Sequence, residues 1–354
     1  MRRRRFLTAT ALTGFAAGLG TTLTGCDGGG FGGGNGNAGR LGFTNRLKIP
    51  PQLRPRRDGD GVRRFELGLR PGRREFRPGE VTETWGINAA FLGPTLRASR
   101  GDRVAMRVAN RLPETSTLHW HGMRLPARMD GGPHQPIEPG TTWSPSWTID
   151  QPAGTLWYHP HPHGETARHV YKGLAGMFIL DDPESRGLAL PDTYGVDDVP
   201  LIVADRLFGE GDGRGRDIAE RAVAGSTFGL LGDDILVNGT YDPYFAVTTE
   251  RVRLRVLNAA NARMFHLGFS DDRTFQVIAT DSGLLPEPVE ADRVRLSPGE
   301  RVEIVVGFAP GERVVLTSAS GDEGIDEEDF DLIRFTAART RWQRGRTRAT
   351  PCRT

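Results

Sequence analysis

Five of the chain's eight histidines stand in two short clusters. The first, in TLHWHGMRLP (117–126), sets His119 and His121 one residue apart. The second, in LWYHPHPHGE (156–165), strings His159, His161 and His163 between prolines. On an extended strand residues i and i+2 face one side. His119 and His121 are therefore expected to project together with Trp120 opposite, and the second cluster to do likewise. Imidazole suits copper, zinc, iron and nickel, so two rows of imidazoles make a metal cradle. One HxH pair alone is more often chance or a polar surface, but its repetition makes chance a poor account. A dinuclear zinc hydrolase is the chemical competitor; its pattern wants an aspartate and a further histidine directly after HxH, and HPHPHG has neither. His134, His169 and His266 each stand alone and are read as structural.

The elements that must position these histidines read as strands. With 47 Gly and 24 Pro in 354 residues, and no convincing long amphipathic helix, the sequence fits many short strands separated by turns. RVAMRVAN alternates Val104, Met106 and Val108 with arginine and alanine, and ERVRLRVLN alternates Val252, Leu254 and Val256 with arginines. RVEIVVGF, near residue 301, reads as a more buried strand. An acidic, proline-punctuated stretch at 181–200 marks a boundary, so two β-sandwich domains are expected, at 46–182 and 197–337. TLRASRGDRVAMRVANRL and YFAVTTERVRLRVLNAAN resemble each other loosely, as duplicated domains would.

Charge nearly cancels, 46 basic residues against 44 acidic, so no global field points to nucleic acid or an anionic membrane. Lys48 and Lys172 are the only lysines, a skew that reads as genome composition. The two cysteines, Cys26 and Cys352, lie near opposite ends and imply no disulfide framework.

Residues 1–26 have the layout of a secretory signal: an arginine cluster, an apolar run, then small residues. Arg3-Arg4-Arg5-Phe6-Leu7 resembles the twin-arginine signature, and Leu23-Thr24-Gly25-Cys26 a lipobox, which would make Cys26 a lipid anchor on an extracytoplasmic, periplasmic protein. Glycine-rich residues 27–45 then read as a tether, with the folded part starting near Arg46. The segment 338–354, with six arginines in its last sixteen residues, reads either as a disordered basic tail or as a chain out of its reading frame or cut short.

GPTLRASRGD, TSTLHWHG, MDGGPHQPIEPG and WYHPHPHGETARHVYKGLAGMFILDD together resemble the first domain of multicopper oxidases, in the bacterial copper-efflux and laccase-like branch. VNGTYDPYF, RLRVLNAANAR and DSGLLPEPV are similar to that branch's second domain, so the resemblance covers roughly residues 60–335. It implies an all-β fold of tandem cupredoxin-like Greek-key β-sandwiches and copper as the cofactor. Matched residue by residue, it implies His119 as a type 2 copper ligand and His121, His159 and His161 as type 3 ligands, with His163 a hydrogen-bonding neighbour. Asp130, in RMDGG, matches the acidic residue that helps deliver protons during oxygen reduction; an Asx-turn role before Gly131 is the competing reading.

In the family, the type 1 copper ligands and four more cluster histidines come from a third domain with motifs such as HPxHxH and HCHxxxH. This sequence contains neither motif, and four ligand histidines in place of eight. The expectation is thus a chain descended from a three-domain oxidase, inactive by itself, with half of a trinuclear site and no type 1 copper. The implied reaction is oxidation of cuprous ion or a phenolic donor with oxygen reduced to water. The alternative is a non-catalytic copper-binding or scaffold protein of the envelope. An exposed first-domain face would then favour self-association.

Overall fold

Strand Arg103–Asn110 shows why this chain builds sheets: Val104, Met106 and Val108 are buried while Arg103 and Arg107 are exposed. One residue in two therefore faces a core and the next faces water. A computed structural model describes residues 36–209, 229–319 and 328–340. Among these, helix is confined to Thr166–Tyr171, Pro183–Gly187 and a single 3-10 turn, Ala127–Met129. None of the described helices is long and apolar enough to cross a membrane.

The fold is a tandem of cupredoxin-like Greek-key β-sandwiches. In the first, a four-stranded sheet runs in the order Leu96–Ser99, Gly176–Asp181, Gly154–His159, His119–His121. It packs on a sheet built around Arg63–Arg77 and Arg103–Asn110. Phe65, Met106, Trp120, Trp147, Tyr158 and Phe178 fill the space between them. The second sandwich pairs a seven-stranded sheet, centred on Asp198–Arg206, Arg251–Asn258 and Arg301–Gly307, with a six-stranded one that contains Phe265–Phe269 and Phe330–Ala337. A third apolar cluster, with Phe91, Trp157 and Met177 from one sandwich and Ile202, Leu236 and Leu257 from the other, joins the two.

The structure departs from the sequence reading in two places. The chain is packed well before Arg46: Phe43 is buried, its backbone N–H donates to Asp242 Oδ1 at 2.5 Å, and Asn37 N–H donates to the Asp329 carbonyl at 3.1 Å. Asn45–Arg46 moreover pairs in parallel with Pro243–Val247, so this first strand belongs to the second sandwich. The alternation read in Arg251–Asn258 is present, with Arg253 and Arg255 buried against carboxylates. The export signal with Cys26, the first part of the glycine-rich segment, and the basic tail with Cys352 lie outside the described residues.

Candidate metal centre

The two histidine motifs meet because their strands pair. His119–His121 runs antiparallel to Gly154–His159, with His119 opposite His159, Trp120 opposite Tyr158 and His121 opposite Trp157. Partners directly opposite one another share a face. His119, His121, Trp157 and His159 therefore line one side, while Trp120 and Tyr158 go into the core, both with no measurable exposure. Ring centroids lie 5.8 Å apart for His119 and His121, 5.4 Å for His119 and His159, and 5.5 Å for His121 and His159. Trp157 closes the floor by stacking on His159 at 4.0 Å and leaning on His121 at 5.0 Å.

His161 joins by a different route from the one expected. The strand ends at His159, because Pro160 and Pro162 have no N–H to give a ladder. His161 is instead placed by a turn in which its backbone N–H donates to Thr117 Oγ1 at 2.6 Å. Its ring sits 5.5 Å from that of His119 and 5.9 Å from that of His159. His163 lies exposed in the turn that follows.

Asp130 stands beside the cluster. Its carbonyl and its Oδ1 lie 3.0 and 3.2 Å from His119 Nδ1. The same carbonyl accepts from Trp120 N–H at 3.3 Å, and Trp120 Nε1 donates to the Met129 carbonyl at 3.1 Å. The loop can press this closely on the strand because residue 131 is glycine: at φ +73°, a Cβ there would fall 1.8 Å from the Leu118 carbonyl oxygen.

Electrostatics favours lone pairs over protons. Burial, then the charge of Arg301 and the neighbouring imidazoles, hold His121 down at about 4. Burial, then His119, hold His159 well below the ordinary imidazole range, against an opposing contribution from the Pro160 carbonyl. That carbonyl, 2.8 Å from His159 Nδ1, can only accept, so Nδ1 carries the proton and Nε2 keeps its lone pair. The Asp130 carbonyl makes Nδ1 the donor in His119 in the same way, leaving Nε2 free. A ring N–H fixed by a carbonyl or carboxylate is the usual support of a metal-binding histidine. His159 Nε2 lies 3.2 Å from His121 Nδ1, and the ligand nitrogens of His119, His121 and His159 all fall within 4.8 Å of one another. Two nitrogens bound about 2.0 Å from one tetrahedral metal stand roughly 3.3 Å apart. The residues therefore fit a metal.

A second group, Glu114, Glu165 and His169, is equally close-set. It already holds a cation: Arg168 pairs with Glu114, and its Nε lies 2.5 Å from Glu165 Oε2. His169 is buried between Ser116 Oγ at 3.1 Å and Glu114 Oε1 at 2.7 Å, with its ring edge-on to Trp85. These are the contacts of a packing histidine. His134 is exposed in a loop, and His266 lies on Phe265–Phe269 in the second sandwich.

The family model for multicopper oxidases matches residues 70–185. The chain superposes with a TM-score of 0.78 on the laccase-like multi-copper oxidase CueO from the lignin-degrading bacterium Ochrobactrum sp., at 39% identity, covering 87% of this chain and 67% of that one. The chain belongs to the multicopper oxidase family. Copper is the metal this family implies for the imidazole set. A laccase from Pediococcus acidilactici has the same fold, with a TM-score of 0.78, 35% identity and 88% of this chain covered against 65% of its own. Among curated relatives, the multicopper oxidase mco of Staphylococcus aureus is 34% identical over 79% of this chain and 61% of its own length. The cell division protein FtsP of Edwardsiella tarda is 43% identical over 77% of this chain and 56% of its own. The chain thus spans little more than half the length of the curated relatives it matches.

Sequence reasoning missed the second sandwich's share of the site. Gly299 and Arg301 approach His121, yet neither belongs to a histidine motif. The one signal was the SPGER turn, in which a glycine after proline marks a backbone free to take positive φ.

Proposed function

We propose that His119, His121, His159 and His161 bind copper, and that this chain carries the first half of an oxygen-reducing copper site in an oxidoreductase acting on cuprous ion or a phenolic donor. The convergence of three imidazole rings from two paired strands, with the His161 ring beside them, carries this reading. His119 takes the type 2 role, and the other three take type 3 roles. Copper, when bound, supplies one-electron redox chemistry that imidazole and carboxylate lack. The protein's own residues arrange and protect that site. Asp130 and the Pro160 carbonyl orient His119 and His159 through Nδ1, and Trp157 shields the floor from water. The Asp130 side chain, 39% exposed, touches both solvent and His119. Its Oδ1 can hold a proton and pass it toward the site, as a general acid must when oxygen is reduced to water. Four imidazoles are half of the set that the resemblance requires. Export, lipid anchoring through Cys26 and self-association through the first-domain face belong to the same proposal and rest on the sequence.

The higher identity to a protein named for cell division than to a named oxidase favours a second reading, a copper-binding or scaffold protein of the envelope without catalysis. Copper content after loading and dialysis tests the ligand assignment: His121→Ala is expected to lower the bound copper per chain, and an unchanged content would remove the assignment. An oxygen electrode then separates the readings. Oxygen uptake by the copper-loaded protein with a phenolic or cuprous donor supports the oxidase; none at full loading supports the scaffold.

A further inference from the structure

One turn of the second sandwich reaches the histidine cluster. Gly299, at φ +85°, approaches so closely that a Cβ on it would stand 3.6 Å from His121 Cε1 and 3.7 Å from Trp157 Cζ2. Two residues later the Arg301 guanidinium crosses to the first sandwich, where Nε donates to the Thr155 carbonyl at 3.1 Å. Its Nη2 fills the space beside Gly122, 2.8 Å from where a Cβ would be. The other donors are anchored at home: Nη1 to the Gly299 carbonyl at 3.0 Å and Asp281 Oδ1 at 2.8 Å, Nη2 to the Asp281 carbonyl at 3.1 Å. Only 3% of this side chain is exposed. The Thr155 hydroxyl is held as well, donating to Glu303 Oε1 at 2.7 Å.

Arg301 therefore touches both segments that carry the cluster, the turn after one strand and the other strand itself. On one it lies against Gly122, next to His121. On the other it grips Thr155, ahead of Trp157 and His159 on the same strand. Glycine suits both turns: a Cβ at 122 would stand 2.8 Å from the guanidinium, and the φ of +85° at 299 is one that residues with a side chain rarely adopt.

We propose that Arg301, seated by Gly299, is a positioning residue for the histidine cluster, through which the second sandwich sets the spacing of His121 and His159 for metal binding. The proposal rests on the copper-binding reading above. Its geometry needs a planar fork that donates in several directions at once, which arginine has and lysine lacks. A purely structural clamp would differ in outcome, because it would lower stability and leave the affinity of the folded protein for copper unchanged.

The test is copper(II) titration of the full chain against a competing chelator. It is read by tryptophan fluorescence and by the electron paramagnetic resonance of the bound ion, at a temperature where near-UV circular dichroism shows each variant folded. Arg301→Met is expected to weaken copper binding about tenfold, the low end of what loss of a supporting contact costs a metal site, and to change the resonance parameters. Arg301→Lys is expected to restore only part of the affinity. Arg273→Met supplies the structural control, because its partners Asp271 and Glu312 both belong to the second sandwich; it is expected to lower stability and leave copper affinity alone. If Arg301→Met does not fold, Arg301→Gln, which keeps a polar amide in the buried site but not the fork, makes the same test. Wild-type affinity and resonance in a folded Arg301→Met or Arg301→Gln protein overturn the proposal. Absence of copper binding by the wild type overturns the underlying reading, and this one with it.

Discussion

Arg103–Asn110 and Arg251–Asn258 carry nearly the same pattern, RVAMRVAN and RVRLRVLN, yet the arginines inside the second strand are buried while those of the first meet water. Arg103 and Arg107 are exposed, whereas Arg253 and Arg255 are 6% and 2% exposed. The second pair finds carboxylates on the two strands that flank it in its own sheet. Arg255 Nε and Nη2 lie 2.5 and 3.1 Å from Asp198, its Nη1 lies 2.9 Å from Glu303 Oε1, and Arg253 Nε lies 2.7 Å from Glu303 Oε2. Asp198 also lies 3.5 Å from Arg97 of the first sandwich. An arginine in an alternating strand thus marks a polar neighbour, and that neighbour can be water or a carboxylate on the adjacent strand of a buried sheet face.

The largest test of this contrast is Arg255→Met set beside Arg107→Met. The first strands Asp198 and Glu303 as buried, under-compensated charges and is expected to cost about 3–5 kcal/mol. The second is expected to stay within about 0.5 kcal/mol. Equal losses in urea unfolding would erase the distinction. Acid comes next. Burial pushes the Glu303 carboxyl up, but Arg253 and Arg255 outweigh it and hold it at about 2, below its ordinary 4.5. The unfolded chain therefore takes up this proton first as the pH drops, so the stability Glu303 contributes is present above 4.5 and is lost as pH falls toward 2. Melting temperatures across that window should fall less steeply in Glu303→Gln than in the wild type; parallel profiles would show that the carboxylate is not coupled to folding. The smallest expected effect is Thr155→Val, which deletes a hydroxyl shared with Glu303 and Arg255 while leaving the ion pairs in place. A loss of about 1 kcal/mol is expected, and several kcal/mol would make the hydroxyl, not the charges, the keystone.

The same contrast explains what could be read without a structure. Val104, Met106 and Val108 reveal a strand because the pleat is local, and His119 and His121 reveal a shared face for the same reason. That His159 lies opposite His119 follows from strand pairing, which the motifs suggested only through resemblance. The sequence reading set His161 on a strand in line with His159, whereas the prolines end the strand and a hydrogen bond to Thr117 does the placing. The place of Asp130 could be guessed from MDGG, while its grip on His119 needed a loop folded back over the strand. Arg301 was beyond reach, because 180 residues separate it from His121 and only sandwich packing brings them together.

The early strand Asn45–Arg46 has a consequence for how the molecule is made. Its neighbour Phe43 is bonded to Asp242, 199 residues further on. At a synthesis rate of about 5–20 residues per second, this segment waits on the order of 10 to 40 s for its partner to be translated. The first sandwich can collapse during that wait, while Asn45–Arg46 stays unpaired until Pro243–Val247 has been made, open for that time to chaperones and to mispairing.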